Sequence, residues 1–558
     1  MKKTDRLIYL PLGGAGEVGM NAYVFGYGPE GRERLILVDL GVTFPDMDTT
    51  PGVDLILPDI AWLAERKDRL EAIFITHAHE DHVGALGHLW PQLKAPAFAR
   101  RFTSAIARMK LEEQGQDPAA VTTVGAYPEV VKAGPFKVSF LPVSHSIPES
   151  AGLVIDTPAG RVVHTGDFKL DGKPLVGEPF DAKLWHGVAK ERKVKVLTCD
   201  STNVFVPTPG RSEATLGPAI EELISGASGM VAATTFASNV ARVRTLAVAA
   251  RNAGRSVVLL GRAMKRMIAT AVETGVLTDF PSTVSPEDAE NLPRDNLMLI
   301  VTGSQGERRA ASAQLARGKY LGFELAEGDT FLFSSKTIPG NERSVLKIMN
   351  AFSEIGVEVV DDRDSRYHVS GHANRPDLEA VHELMSPEIL IPMHGEHRML
   401  REHARLGQAK GIASEIVPNG TMVDLTGPEP EIVEYIEAGR TYLDGTVLIG
   451  ALDGVVRDRI RMALNGHVLV TLIIEEDALL GEAWSEVTGL PEAGRSRRVL
   501  AEVIEAEVTE LLERSGRKVL RDDDKIDDAV RRVVRKAALE EVGKKPEVTV
   551  VVSRLSAG

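Results

Sequence analysis

Apolar residues recur along this chain in short runs rich in β-branched and aromatic side chains, separated by glycine, proline and acidic turns. Runs of this kind predict strands. In the first part they fall at Arg6-Leu7-Ile8-Tyr9-Leu10, Asn21-Ala22-Tyr23-Val24-Phe25, Arg34-Leu35-Ile36-Leu37-Val38, residues 71–76, Phe136-Lys137-Val138-Ser139-Phe140 and Val194-Lys195-Val196-Leu197-Thr198-Cys199. Gly26-Tyr27-Gly28 reads as a turn ending the second of these. Leu153-Val154-Ile155 and Arg161-Val162-Val163-His164 flank Pro158-Ala159-Gly160 and predict a hairpin. Val83, Leu86, Leu89, Trp90 and Leu93 fall instead at helical spacing.

After residue 205 the texture changes. Apolar strands at 230–236, 256–261, 297–301 and 330–334 are separated by helical stretches such as 239–252. Such alternation predicts a mainly parallel sheet flanked by helices, hence a second domain. A short strand at 357–360 stops at Asp361-Asp362, a helix carries Leu378, Val381 and Leu384, and a strand follows at 389–396. Residues near 430–450 read as a connector. Beyond them a strand (467–474), two amphipathic charged helices (498–513 and 525–542) and a strand (547–552) form a small α/β module suited to dimerisation or RNA contact.

The chemistry lies where these strands end. Thr76-His77-Ala78-His79-Glu80-Asp81-His82 packs five ionisable side chains into six consecutive residues. Neutral histidine with aspartate is a ligand set for divalent transition metals, so the stretch reads as half of a metal site. His77 and His79, two apart, share a face of the extended chain, and Asp81 and His82 sit where strand gives way to helix, aimed at a second ion. Strands also end at Asp39, Asp167, Asp200 and His394, while His145, His368 and His372 lie on polar loops. Asp39 is read equally as a group orienting a metal-bound histidine or as a turn aspartate. His164, three before Asp167, points to the other face and is read as structural. Gly14, Gly16 and Gly19 spell G-x-G-x-x-G, with Asp39 20 residues further on. A dinucleotide site needs that motif to open a helix, and a strand follows here, so a glycine loop supporting the metal pocket is expected.

Length and charge refine this. At 558 residues three or four domains are expected. The net charge of −14 argues against indiscriminate attraction to polyanions, yet residues 206–349 carry 16 Lys and Arg against 14 Asp and Glu. The single cysteine, Cys199, excludes an intrachain disulfide framework and reads as a small core residue of a protein in a reducing cytoplasm. Neither a membrane span nor a secretory leader at Met1-Lys2-Lys3 is expected.

The set His77-x-His79-x-Asp81-His82, His145 and Asp167 resembles the metallo-β-lactamase superfamily. Completion only by His372 and His394, after an inserted α/β domain, is similar to the β-CASP nucleases. Residues 13–21, Asp200-Ser201-Thr202-Asn203, 368–372 and Pro392-Met393-His394-Gly395-Glu396 resemble the ribonuclease J family. The resemblance implies an αβ/βα sandwich in two parts (1–205 and 351–430), a β-CASP domain at 206–350, a linker at 431–455 and a C-terminal α/β domain at 456–558. It implies two divalent ions, zinc or manganese, with magnesium as a further activator. One would be held by His77, His79 and His145, the other by Asp81, His82 and His394, with Asp167 bridging. Asp200 and His372 would be the catalytic pair, His372 giving a proton to the leaving 3′-oxygen. Phe236, Ser238, His368, Ser370, Gly371 and His372 would bind substrate around its 5′-phosphate.

The implied activity is cleavage of single-stranded RNA in rRNA processing and mRNA decay. It combines 5′-to-3′ exonuclease action on 5′-monophosphorylated ends with endonuclease action, in a cytoplasmic homodimer or tetramer meeting other RNA-decay proteins and no membrane. The alternatives are a DNA-processing β-CASP nuclease, disfavoured by His394, a small-molecule metallo-hydrolase such as a lactonase or thioesterase, disfavoured by the inserted domain, and a non-catalytic RNA-binding scaffold.

Overall fold

Because successive side chains of a strand face opposite ways, the strands read above sort their apolar residues onto two faces. Where both faces are apolar the strand lies between layers. A computed structural model of the chain describes residues 5–338 and 340–555; Met1-Lys2-Lys3, where no leader is expected, lie outside them. The chain divides into two units, Met1–Thr43 with Leu57–Arg440, and Phe44–Ile56 with Thr441–Gly558.

The first unit holds two large sheets. One runs in the order Glu431–Tyr435, Thr421–Asp424, Asp5–Gly13, Ala22–Pro29, Arg34–Val38, Leu70–Ile75, Ala97–Ala99, Val121–Thr123. The other runs Ala413–Ser414, Ile389–Met393, Val194–Asp200, Gly160–His164, Ala151–Thr157, Phe136–Pro142, Val131–Ala133. Their facing side chains, among them Tyr9, Phe25, Phe74, Phe140, Ile155 and Ile391, share one core. On the second sheet the alternate residues Val163, Leu197 and Leu390 pack against Trp185, Leu378 and Leu406 of the covering helices Ala182–Glu191, Arg375–Met385 and His397–Ala409. This is the expected αβ/βα sandwich. The second strand does not stop at Gly26-Tyr27-Gly28 but continues to Pro29, pairing Gly26 with Ile8 and with Leu35. A Cβ on Gly26 would lie 2.7 Å from the Ile8 side chain, so glycine here answers close packing and not a turn.

Between Val194–Asp200 and Arg375–Met385 the chain builds a parallel five-stranded sheet, ordered Ser256–Leu260, Leu297–Val301, Val231–Thr234, Thr330–Phe333, Glu358–Val360. Its last strand moves the 350/351 boundary: Glu358 pairs with Thr330, so residues 358–360 belong to the inserted domain and not to the sandwich. Helix Val240–Asn252 carries the fully buried Arg242, whose guanidinium donates to Glu213 (Nε to Oε1, 2.5 Å) and to the carbonyls of Ser334 (2.7 Å) and Tyr367 (3.1 Å). Removing the carboxylate strands a buried cation, so Glu213→Ala is expected to destabilise the inserted domain by about 3–5 kcal/mol. Urea unfolding monitored by circular dichroism measures this.

Residues 431–455, expected as a linker, are not structureless. Glu431–Tyr435 adds an exposed edge strand beside Thr421–Asp424, and Arg440–Asp444 pairs with Val447–Gly450 as a hairpin. Exposure on both faces of Glu431–Tyr435 removes the apolar alternation that would have announced that strand. The second unit centres on strand His467–Glu475, which pairs with Trp484–Thr488 and Glu547–Leu555 and is covered by helices Leu500–Glu513 and Asp523–Val542. The acids of the charge run at 521–525 cap the latter helix: the Asp522 side chain accepts from the Lys525 amide. No helix among the described residues is long and apolar enough to cross a membrane.

Candidate metal centre

The two sheets deliver their strand ends to one edge. His77 and His79 directly follow Leu70–Ile75, and His79 is the N-cap of the short helix Glu80–Val83 that carries Asp81 and His82. The helix expected from Val83 onward is broken there and resumes at Leu86–Leu93. From the second sheet, His145 follows Phe136–Pro142, Asp167 follows Gly160–His164, Asp200 ends Val194–Asp200, and His394 follows Ile389–Met393.

Seven of these side chains converge as two overlapping groups, and Asp167 and His394 lie also with Asp200 and His372 in a third. His77 Nε2 and His145 Nε2 each lie 3.1 Å from His79 Nδ1. Asp81 Oδ2 lies 3.2 Å from His394 Nε2 and 3.5 Å from His82 Nε2. Asp167 belongs to both: its Oδ2 is 3.2 Å from His82 Nε2, 3.6 Å from His394 Nε2, 3.8 Å from His77 Nε2 and 3.9 Å from His145 Nε2. The far nitrogens are held from behind, which leaves the near ones facing inward. His82 Nδ1 meets Asp39 Oδ2 at 2.7 Å, His77 Nδ1 meets Thr76 Oγ1 at 3.0 Å, His394 Nδ1 meets Thr202 Oγ1 at 2.9 Å, and His145 Nδ1 donates to the Gly371 carbonyl at 2.6 Å. Gly371 is glycine because a Cβ there would stand 2.8 Å from the His145 ring.

Electrostatics suit cations. Burial keeps His77, His79 and His145 neutral, lowering His79 to about 4, and neutral imidazole is the ligating form. Burial likewise opposes a charge on His82 and His394, yet Asp167, Asp81 and Asp39 around His82, and Asp167, Asp200 and Asp81 around His394, outweigh it and raise His394 to about 10. The clustered carboxylates therefore demand positive charge. Asp167 Oδ1 is also buried without a hydrogen-bond partner. Both features, and the donor set itself, fit divalent cations. Asp39 thus resolves as the group orienting His82. Asp39→Asn is expected to weaken metal affinity by about 10–100-fold, measured by competition with a chromogenic chelator.

The glycine loop supports this pocket and does not open a helix: Ala15 and Gly16 pair with Gly395 and Glu396, next to His394. His164 is structural, its Nδ1 2.8 Å from Thr198 Oγ1 and its ring 5.3 Å from that of Tyr23 in the core.

Four families match along the chain: the metallo-beta-lactamase superfamily over residues 15–200, the ribonuclease J beta-CASP domain over 228–352, the Zn-dependent metallo-hydrolase RNA specificity domain over 357–418 and the ribonuclease J C-terminal domain over 454–555. The ribonuclease J of Sinorhizobium meliloti is 40% identical over 100% of this chain and 98% of its own length. The chain belongs to the ribonuclease J family. The ribonuclease J of Mycolicibacterium smegmatis is 36% identical over 97% of this chain and 96% of its own. A solved structure of a protein of unknown function from Enterococcus faecalis V583 aligns with a TM-score of 0.50 at 16% identity, over 75% of this chain and 100% of that one, which is a likeness of fold alone. Membership makes this a nuclease of metallo-β-lactamase and β-CASP type that binds divalent metal and acts on RNA.

Ribonuclease J membership directs attention to the residues beside the metal groups. His372 Nδ1 lies 2.8 Å from Asp200 Oδ2, and Asp200 Oδ1 accepts from Thr202 Oγ1 at 2.7 Å. The His372 side chain is 21% exposed, and its Nδ1 is the nitrogen that Asp200 engages. Ser370 Oγ accepts from Asn203 Nδ2 (2.8 Å) and from the His372 amide (3.2 Å), which braces the His372 loop. Phe236 and Ser238 lie half-buried before helix Val240–Asn252, and Arg242 in its first turn reaches Tyr367 and, at 3.3 Å, His368 Nδ1. The 236–239 turn and the 368–372 loop are therefore joined through one buried arginine. Thr76, Asn21 and Thr202 were not read from sequence. Asn21 Nδ2 lies 3.0 Å from His82 Nε2 across 61 residues; all three residues fall inside quoted stretches (13–21, 76–82 and 200–203), but none is assigned a role there.

Proposed function

We propose that this ribonuclease J family member cleaves single-stranded RNA both from 5′-monophosphorylated ends, in the 5′-to-3′ direction, and internally. Carrying the reading is one observation: His372 and His394, from chain beyond the inserted domain, join the His77–His82 cluster and Asp200, from chain before it, so the centre is completed by segments that bracket that domain. One cation would be held by His77, His79 and His145, the other by Asp81, His82 and His394, with Asp167 shared; zinc and manganese both suit these ligands, with magnesium a further activator. When bound, such ions supply Lewis acidity toward water and the phosphodiester.

The chain's own residues do the rest. Burial opposes a charge on His372, but Asp200 and Asp167 outweigh it and raise its pKa above the ordinary histidine range. Its Nε2 can therefore carry a proton to the departing 3′-oxygen while Asp200 holds the ring in place. For the 5′-phosphate, the His368 neighbourhood is cationic: burial and then Arg242, Lys336, Lys169 and Arg211 keep that imidazole neutral. The Ser370-Gly371 loop and Ser238 would add hydrogen-bonding groups, and Phe236 would offer a ring for a base.

A substrate panel tests the reading. RNA bearing 5′-phosphate, 5′-triphosphate or 5′-hydroxyl, matched DNA and a lactone are each incubated with protein and manganese or zinc. Mononucleotide release confined to 5′-phosphorylated RNA, with internal cuts in the other two RNAs and no turnover of DNA or lactone, is expected. Lactone turnover or DNA degradation without RNA cleavage would overturn it.

A further inference from the structure

Behind the strand that ends in Asp200 lies a second group of ligand-type side chains, apart from the metal centre. Cys199, His382 and His403 are 0%, 1% and 0% exposed, and a sulfur and two ring nitrogens among them fall within 4.8 Å of one another. We propose that these three residues form a further metal site, for a thiophilic cation of the zinc class, through Cys199 Sγ and one ring nitrogen of each histidine.

Polar atoms in an apolar place start the argument. Cys199 faces the helix-covered core with Leu197, Val381, Leu390 and Leu406. There the two imidazoles stack with centroids 5.1 Å apart and Nε2 atoms 2.9 Å apart. Two neutral rings share a single hydrogen in such a contact, and His382 Nδ1 is buried with no partner at all. That Nδ1 lies on the other side of the ring from Nε2 and is not offered to the cation; the contact a cation can take over is the one shared hydrogen between the Nε2 atoms. His403 is better supplied: its Nδ1 lies 2.9 Å from Ser201 Oγ. A histidine whose one nitrogen is held by a hydroxyl presents the other as a ligand, the arrangement that recurs behind metal-bound imidazoles. A cation between the Nε2 atoms replaces the shared hydrogen, at ligand distances of about 2.0–2.1 Å, after the nitrogens part by a few tenths of an ångström. The thiol loses its proton to solvent as the sulfur–metal bond forms, and thiolate with imidazole selects zinc-class ions over magnesium or calcium.

The position gives the site a consequence. Cys199 adjoins Asp200; His382 lies on helix Arg375–Met385, which follows His372; His403 lies on helix His397–Ala409, which follows His394. One cation would fasten together the three segments that complete the nuclease centre. The inference does not depend on the nuclease reading.

Cobalt substitution tests it directly. Cys199 is the only cysteine in the chain, and the nuclease centre contains histidine and aspartate alone, so a near-ultraviolet thiolate-to-cobalt band can arise only here. Reduced, chelator-treated full-length protein titrated with Co²⁺ is expected to develop that band. It should disappear in Cys199→Ser, with one equivalent of bound metal lost, fall sharply in His382→Ala, and persist in Asp167→Ala. Saturation of the wild type with cobalt and no such band would overturn the proposal, whatever the variants do. A band surviving in Cys199→Ser would overturn it too.

Discussion

Asp167→Ala is expected to abolish RNA cleavage and to release metal from both ligand groups together. The reason is geometric. Asp167 Oδ2 is the one oxygen within 3.9 Å of a ring nitrogen from His77, His82, His145 and His394 alike, and the carboxylate is 2% exposed. Losing it removes the negative charge shared by both groups and leaves five imidazoles facing one another in a buried space. Metal stabilisation of a phosphoryl transition state is worth several kcal/mol, and each 1.4 kcal/mol is tenfold, so a loss on the order of 10³-fold or more is expected. Metal analysis of the dialysed variant beside initial rates on 5′-phosphorylated RNA measures both effects. Wild-type metal content in the variant would show that Asp167 does not join the two groups.

His372→Ala should separate chemistry from metal binding. Its Nδ1 is engaged by Asp200 at 2.8 Å, with Asp167 Oδ2 3.9 Å away. Loss of a general acid costs roughly 10²–10⁴-fold in rate. The variant should show that loss in kcat with metal content unchanged. Equal metal loss in His372→Ala and Asp167→Ala would make His372 a ligand. Asp200→Asn, which keeps the shape but weakens the hold on the ring, should lower kcat with little change in KM, since Asp200 is 1% exposed and would act through His372.

How far this centre was legible follows from where each residue sits in sequence. His77 to His82 could be read because one strand end and one helix start carry five of the groups within a single turn of chain. His145, Asp167, Asp200 and His394 could be read because each follows an apolar run, and a polar residue ending such a run faces the edge of a sheet. What could not be read depends on neighbours distant in sequence. Thr202 meets His394 across 192 residues, and Arg242 meets Tyr367 across 125; neither pairing leaves a local periodicity. The same holds for Cys199 with His382 and His403, which appear in sequence as one core cysteine and two unremarked helix histidines. The strand at 431–435 escaped notice for the opposite reason: every residue in it is exposed, so nothing alternates. Strand 358–360 falls beyond the expected 350/351 boundary because a short Glu-Val-Val run does not say which sheet it joins; its pairing with Thr330–Leu332 decides.

The central claim, that this His and Asp centre delivers water to an RNA phosphodiester while His372 protonates the 3′-oxygen, is tested most directly by the origin of the product oxygen. RNA is digested by the manganese-loaded protein in ¹⁸O-water and the products are weighed by mass spectrometry. Nucleotides with a 3′-hydroxyl and a single ¹⁸O in the 5′-phosphate are expected. Unlabelled products ending in 2′,3′-cyclic phosphate would contradict it, because the attacking oxygen would then be the RNA's own.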